Sequence, residues 1–234
     1  MVSNVIVKFD KISKAFPGVK ALDKVSFEIG KGEVHAIIGE NGAGKSTLLN
    51  ILHGVYTEYD GNVYVDGQIV NFKSPHDAIK YGIAKVHQEI NLINELTVGQ
   101  NVTLGYEPII GPFINYKDMH KRVNAILERL HCKFSSEDRV ASLSVAEMQM
   151  VSVAKALFHN AKVMSLDEPT ASLTDSEVNT LFKIIRNLKE NGITIIYVSH
   201  RLEEIFRIAD RTTVLRDGKV VSTYDVSNIS REEL

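Results

Sequence analysis

Residues 39–47 read G-E-N-G-A-G-K-S-T, which matches the pattern G-x-x-x-x-G-K-[ST] of a phosphate-binding loop. The glycines of such a loop let successive backbone N–H groups curl around phosphate oxygens. Lys45 is predicted to reach the β- and γ-phosphates of a nucleotide, and Ser46 to aim its hydroxyl at Mg²⁺ where a helix begins. An apolar run before the loop and a helix-like run after it favour this interpretation over a simple glycine-rich turn. The predicted nucleotide-binding residues are Gly39, Glu40, Asn41, Gly42, Ala43, Gly44, Lys45, Ser46 and Thr47.

Two adjacent acids, Asp167 and Glu168, follow the apolar run 163–166. In open parallel sheets, ligands bind beyond the carboxyl ends of the strands, where such residues would lie. We expect Asp167 to hold Mg²⁺ through water and Glu168 to polarise the water that attacks the nucleotide. Alternation along the strand is expected to point the two carboxylates to different sides. Without the phosphate loop, an acid pair at this place would more often be a solvated turn.

Two further polar residues, His200 and Gln88, stand at the ends of predicted strands. His200 follows the run 195–199 and can donate to a γ-phosphate oxygen. Gln88 follows the run 83–87, and its neutral amide can complete a magnesium shell or hold the attacking water. Each would more often be a structural or surface residue if it stood alone. The predicted catalytic set is Lys45, Gln88, Glu168 and His200, and the predicted metal set is Ser46, Gln88 and Asp167.

Hydrophobic periodicity predicts the α/β elements that would position these residues. We expect a parallel-sheet core with an antiparallel β subdomain, formed by residues 1–90 and 161–234, and an inserted α-helical subdomain at 91–160. Near-continuous apolar runs indicate parallel strands covered on both faces. The predicted elements are strands at 6–10 and 25–29 around a turn at 16–18, a hairpin at 63–72, a short helix from Ser74 to near Gly82, parallel strands at 163–166 and 193–198 with a crossover helix at 178–188, and a closing hairpin at 213–221.

Composition excludes several classes of protein. Hydrophobic residues make up 44% and charged residues 24%, and 27 Lys+Arg against 29 Asp+Glu give a formal charge of −2. This overall balance supplies no electrostatic footprint of the kind that duplex binding usually shows, although it leaves a local basic face open. The single cysteine, Cys132, predicts a passive thiol in a reducing compartment. No apolar run approaches the roughly 20 residues that span a bilayer. We expect a chain in the cytoplasm, or one that meets the membrane through a partner.

The motifs stand in the order and approximate spacing of an ATP-binding-cassette (ABC) ATPase domain, which the chain resembles over nearly its whole length. The matching segments are the Walker A loop at 39–47, Gln88, L-S-V-A-E at 143–147, the strand and acids at 163–168, 172–175 and His200. The resemblance implies a P-loop NTPase (RecA-like) core that binds ATP and Mg²⁺, with Phe16 stacked on adenine. It also implies that the helical subdomain docks on transmembrane permease subunits. Two cassettes would enclose two ATP molecules, each site joining one phosphate loop to the other cassette's signature segment.

More narrowly, residues 16–23 (F-P-G-V-K-A-L-D) and 143–157 resemble the N-terminal cassette of bacterial monosaccharide importers, in which two cassettes are fused in tandem. This resemblance implies an ATPase that couples ATP hydrolysis to sugar uptake from the cytoplasmic side of the membrane, as a peripheral protein. A periplasmic or extracellular sugar-binding protein would be an indirect partner. We expect the chain to be the N-terminal half of a longer tandem-cassette protein.

The signature segment departs from the family form L-S-G-G-Q. Ser144 is kept, but Val145 and Ala146 replace the glycines and Glu147 replaces the glutamine. Their Cβ atoms would crowd a γ-phosphate, and a carboxylate would repel it. The spacing Ser144-x-x-Glu147 also predicts a capping box, which is the interpretation we favour. The chain is therefore predicted to supply a weak signature to a facing cassette.

Two alternatives keep the cassette fold. One is an ABC ATPase with a role outside transport, and the other is a cassette that binds ATP with little hydrolysis. A small-molecule P-loop kinase fits less well, because no segment resembles an arginine-bearing lid.

Overall fold

A computed structural model describes residues 4–86, 91–171 and 173–231. Its centre is a six-stranded sheet with the order β12-β11-β3-β10-β9-β6. Five strands run parallel and β12 is antiparallel to β11. The bounds are β3 (Val34–Ile38), β6 (Ile83–Val86), β9 (Val163–Asp167), β10 (Thr194–Val198), β11 (Arg211–Arg216) and β12 (Lys219–Asp225).

Every residue of β3 and β10 is buried, because both faces of this sheet are covered. Alternate residues of β10 pack into two hydrophobic cores: Tyr197 faces one and Ile196 the other. The apolar runs of the sequence therefore correctly predicted parallel strands. The closing hairpin is also confirmed as β11 and β12, although the pattern did not show that β11 pairs in parallel with β3.

A four-stranded antiparallel sheet packs on one side, with the order β2-β1-β4-β5. Its strands are β1 (Val5–Phe16), β2 (Val19–Gly30), β4 (Asp60–Val65) and β5 (Gln68–Val70). The first two strands are much longer than the predicted 6–10 and 25–29. Register shifts lie around Lys11 and Lys24, whose φ angles are 55° and 52°. These bulges interrupt the alternation of buried and exposed side chains, so the sequence pattern predicted only part of each strand.

The helices are α1 (Lys45–Leu52), α2 (Pro75–Lys80), α3 (Val98–Thr103), α4 (Tyr116–Arg129), α5 (Val145–Phe158), α6 (Asp175–Glu190) and α7 (Leu202–Ile208). Ser74 caps α2 by accepting from the Asp77 N–H, and Pro75 opens the helix, as predicted. None of the helices in the described ranges combines the length and apolar character that crossing a bilayer requires.

The region 91–160 contains α3, α4 and α5, whose apolar faces share one core with the main sheet. It also contains a short hairpin of β7 (Ile109–Ile110) and β8 (Phe113–Ile114), which helix periodicity did not predict. An isolated bridge joins Thr97 to Arg139. The division of the chain at residues 90 and 160 stays a prediction.

Candidate nucleotide site

The predicted phosphate loop connects β3 to α1, the strand–loop–helix arrangement that the motif requires. Gly44 occupies the N-cap position of α1 with a left-handed φ of 104°. A Cβ atom on Gly44 would lie 2.7 Å from both the Ala21 carbonyl oxygen and Leu22 Cδ2. The loop can therefore take this course only with glycine at this position.

Lys45 is 7% exposed and folds over the loop. Its Nζ donates to the carbonyl oxygens of Gly39 at 2.7 Å and Glu40 at 3.0 Å. A buried ammonium group needs such acceptors. The charge is thus held inside the curve of the loop by the loop's own backbone.

A cavity of about 600 Å³ opens beside the loop, a volume in the range of small-molecule sites. Its walls come from the β1–β2 hairpin, the loop, the start of α1 and the end of β9, so they join segments far apart in sequence. The lining includes Phe16, Asn41, Lys45, Ser46, Asp167 and Glu168. A larger cavity of about 980 Å³ lies between β4–β5 and α4 and contains none of these residues, so volume alone does not identify the site.

Phe16 ends β1 at the rim of this cavity. Its ring meets Tyr56 edge-on, with the centroids 5.4 Å apart, and Lys14 Nζ lies 5.3 Å from its centroid. The ring is thus held by neighbours while it also lines the cavity.

Asp167 and Glu168 both line the cavity, but the predicted reason for their separation is wrong. Strand β9 ends at Asp167, and Glu168 has a left-handed φ of 46°. The change in backbone conformation, rather than alternation along a strand, sets the direction of the second carboxylate. Asp167 Oδ2 lies 3.7 Å from Nζ of Lys85, a cation on β6 that the sequence did not single out.

Glu168 and His200 come together across two neighbouring strands. Glu168 Oε1 lies 3.2 Å from His200 Nδ1, and the Glu168 N–H donates to the Val198 carbonyl oxygen at 2.9 Å. Since β3, β10 and β9 are adjacent and parallel, the segments that follow them meet at one edge of the sheet. Gln88, the remaining predicted catalytic residue, lies outside the described residues.

The signature segment begins α5, and its capping box is confirmed. Ser144 Oγ accepts from the Glu147 N–H at 3.4 Å, and Glu147 Oε2 accepts from the Ser144 N–H at 2.9 Å and from Ser144 Oγ at 2.8 Å. Val145 is 46% exposed. Among the described residues that line the cavity beside the phosphate loop, none comes from Ser144, Val145, Ala146 or Glu147.

Cys132 lies near the start of α5. Burial, with a contribution from the Glu147 carboxylate, raises the pKa of its thiol to about 11. The thiol is therefore protonated at neutral pH and a poor nucleophile, which agrees with the predicted passive role.

One buried acid was missed by sequence reasoning. Glu204 in α7 is 5% exposed and bonds to Thr170 and Ser199, which flank the predicted catalytic residues. In the sequence R-L-E-E-I-F-R it resembles any charged residue of a surface helix. The only available signal was its position four residues after His200.

Comparison with solved structures defines the class of protein. A nucleotide-free ATP-binding cassette from an ABC transporter matches with a TM-score of 0.86 and 29% identity, over 98% of this chain and 97% of that chain. A cassette solved as a dimer in a post-hydrolysis state, bound to ADP and Pi, matches with a TM-score of 0.78 and 27% identity, over 96% of this chain and 100% of that chain. The fold is that of an ATP-binding cassette.

The chain belongs to the ABC transporter family, whose model matches residues 22–171. The galactose/methyl galactoside import ATP-binding protein MglA of Haemophilus influenzae is 45% identical over 232 residues, 99% of this chain and 46% of that protein. MglA of Fusobacterium nucleatum is 48% identical over 229 residues, 98% of this chain and 46% of that protein. The chain spans about half the length of the curated relatives it matches.

Proposed function

We propose that the chain is an ATP-binding and ATP-hydrolysing cassette of an importer that couples hydrolysis to uptake of a monosaccharide. The observation that carries the chemistry is the single cavity shared by the phosphate loop and Glu168. The similarity to proteins named as galactose and methyl galactoside import ATP-binding proteins supports the transport role. On this proposal, the chain acts at the cytoplasmic side of the membrane as a peripheral subunit.

In the proposed nucleotide complex, the backbone of residues 39–47 and Lys45 bind the phosphates, and Phe16 stacks on the base. Gly42 also lines the cavity, and a Cβ there would meet no heavy atom within 4 Å, so the backbone at this position is open to close approach of an anion. The hydroxyl of Ser46 and the carboxylate of Asp167 are oxygen donors of the kind that magnesium prefers. Bound magnesium would neutralise charge on the phosphates during transfer.

The proposed hydrolytic step belongs to Glu168 and His200. Glu168 would accept a proton from water as that water attacks the γ-phosphate, and His200 would donate to a γ-phosphate oxygen. Their 3.2 Å contact supports a joint role, because it fixes the two side chains relative to each other. Gln88 would hold the water or complete the magnesium shell.

The proposed partners follow from the same assignment. A second cassette, fused or separate, would supply a signature segment, and transmembrane permease subunits would transmit the conformational change. A sugar-binding protein outside the membrane would be an indirect partner. Co-purification with a polytopic membrane protein would support the transport role, and co-purification with ribosomes instead would favour an ABC ATPase outside transport.

Glu168→Gln tests the chemistry. We expect nearly unchanged ATP affinity and a turnover lowered about 10²- to 10⁴-fold, the usual contribution of a general base. ATP affinity would be measured by calorimetry and turnover by phosphate release. Glu203→Gln is the matched control, because this carboxylate lies on α7 with its side chain 78% exposed.

Equal losses of binding and turnover in Glu168→Gln would show that Glu168 is structural. A second candidate function is ATP binding with little hydrolysis, which the Ser144–Glu147 capping box favours because it places a carboxylate at the signature. Tight ATP binding without turnover by the unaltered chain, at any protein concentration, would select this second candidate.

A further inference from the structure

The buried carboxylate of Glu204 contacts two loops of the candidate site, the one after β9 that carries Glu168 and the one after β10 that carries His200. Ionisable side chains are rarely this buried unless they are paired or hydrogen-bonded. Three hydroxyl groups supply the bonds: Thr170 Oγ1 donates to Oε1 at 2.7 Å, and Tyr197 Oη and Ser199 Oγ donate to Oε2, each at 2.8 Å. Both carboxylate oxygens are therefore engaged.

Two of these donors flank the proposed catalytic residues. Thr170 lies two positions after Glu168, and Ser199 immediately precedes His200. Thr170 is 3% exposed and Ser199 is 2% exposed, so neither bond competes freely with solvent. One carboxylate thus connects the segment that carries the proposed base to the segment that carries the histidine.

Further bonds fix the turn around His200. Ser199 Oγ accepts from the Arg201 N–H at 3.0 Å, and the Glu204 N–H donates to the Arg201 carbonyl oxygen at 3.1 Å. Arg201 Nη1 also lies 3.5 Å from Glu204 Oε1. Residues on both sides of His200 are therefore tied to Glu204, and the bonds to its carboxylate are stronger than those between neutral groups.

The third donor differs from the other two. Tyr197 is fully buried within β10 and packs edge-on against Phe182, with the centroids 6.3 Å apart. Burial and the adjacent Glu204 charge raise the pKa of its hydroxyl, which remains a donor at neutral pH. Its hydroxyl is bonded to Glu204 and also to the side chain of Thr170, so Tyr197 anchors this cluster to the sheet.

We propose that Glu204 is a positioning residue that holds the loops of Glu168 and His200 together at the distance needed for hydrolysis. This inference rests on the proposed ATPase function. A misplacement of about 1 Å can lower a catalysed rate about 100-fold. Loss of one loop bond should therefore lower kcat while leaving the KM for ATP unchanged, because the phosphate loop is not altered.

The test compares the same threonine-to-valine change at Thr170 and at a threonine outside this cluster. Thr170→Val replaces the hydroxyl with a methyl group of similar size, and we expect kcat to fall about 10- to 100-fold. Thr170→Ser keeps the hydroxyl and should restore most of kcat. Thr180→Val is the matched control, because Thr180 is exposed on α6 and its hydroxyl donates to the Ser176 carbonyl oxygen within that helix, so kcat should stay within about twofold of the unaltered chain.

A readout independent of activity is exchange of the Glu168 amide, which donates to the Val198 carbonyl. We expect this amide to exchange about tenfold faster in Thr170→Val but not in Thr180→Val, relative to amides within β9. The β9 amides report any general loss of stability. The ratio of the Glu168 exchange rate to the β9 exchange rates therefore measures the opening of the loop alone.

The outcomes separate the two proposals. If the unaltered chain hydrolyses ATP but Thr170→Val and Thr180→Val give equal kcat and equal Glu168 exchange, the positioning role is wrong. A rise in KM instead of a fall in kcat would also overturn it. If the unaltered chain binds ATP without turnover, the proposed ATPase function fails, while amide exchange still shows whether the Thr170 bond holds the loop.

Discussion

Gly44 and Gly42 both adopt left-handed conformations in the phosphate loop, with φ angles of 104° and 86°. Only Gly44 is also crowded, because a Cβ there would meet the Ala21 carbonyl oxygen and Leu22 Cδ2 at 2.7 Å. A Cβ on Gly42 would meet no heavy atom within 4 Å. The two positions therefore separate the effect of backbone strain from that of close packing.

Gly42→Ala is expected to lower the free energy of unfolding by about 1–2 kcal/mol, the penalty of a left-handed conformation. Gly44→Ala should lower it by a further 1–3 kcal/mol or so, because the new atom also overlaps its neighbours. Urea denaturation of both variants measures the difference. Equal destabilisation would show that the β1–β2 hairpin moves aside without cost.

His35 is a buried histidine at the other end of the central strand. Its Nδ1 lies 2.8 Å from Glu33 Oε1 and its Nε2 lies 2.7 Å from Thr213 Oγ1. Burial lowers the pKa of His35, the Glu33 carboxylate opposes this effect, and the Arg211 charge adds to it. The native state therefore holds a neutral imidazole where the unfolded chain would accept a proton.

The free energy of unfolding should therefore fall as the pH drops below about 6.5, the ordinary pKa of histidine. The unfolded chain takes up a proton in this window and native His35 does not, so acid favours the unfolded state. Urea denaturation between pH 5 and pH 8 measures the slope of the free energy of unfolding against pH. The slope should flatten in His35→Gln, and an unchanged slope in that variant would contradict the assignment.

At the scale of elements, three helices begin with the same capping box. Thr97 and Gln100 cap α3, Ser144 and Glu147 cap α5, and Thr174 and Glu177 cap α6. The altered signature segment thus forms one of three capping boxes in the described residues. Sequence spacing predicted the box at α5, because a capping box is a local pattern.

Val145→Gly with Ala146→Gly should lower the free energy of unfolding by about 1–2 kcal/mol, since glycine is the poorer helix former at both positions. Thermal or urea denaturation measures this change. An increase in stability would mean that the first turn of α5 is strained in the unaltered chain. Thr180→Gly is a comparison within an exposed part of α6.

Other elements could not be predicted from local patterns. The predicted strands 6–10 and 25–29 stopped short because bulges at Lys11 and Lys24 shift the period. The hairpin of β7 and β8 has only two residues in each strand, too few to show alternation. Helix α7 was missed because its seven residues include a buried acid, Glu204, one of whose partners, Thr170, lies 34 residues away in sequence.

At the scale of the molecule, the order of the motifs predicted the architecture. It also predicted that Lys45, Asp167 and Glu168 would lie together at one edge of the sheet, where they line one cavity. The Glu168–His200 contact and the Glu204–Thr170 bond join segments about 30 residues apart, which no local pattern records. On the proposed function, the choice of sugar and the partner's signature would belong to other surfaces. These features therefore lie beyond what this sequence can predict.

The weak-signature hypothesis is a prediction about two cassettes acting together. Changing Val145→Gly, Ala146→Gly and Glu147→Gln should raise ATP turnover and make it rise more steeply with protein concentration, because the signature of one copy would then serve the loop of another. Turnover measured across protein concentrations is the test. If the unmodified chain already matches the triple variant, the capping box does not impair the signature.

Glu168 occupies a left-handed conformation that disfavours a long side chain by about 1–2 kcal/mol. Asparagine tolerates this region better, so Glu168→Asn should melt at a higher temperature while it loses turnover. A selection for a higher melting temperature would therefore favour Glu168→Asn over the chain that has Glu168. Melting temperature alone is therefore misleading at this position. Work that stabilises the protein for storage or structure determination should retain Glu168 and measure turnover as well as the melting temperature.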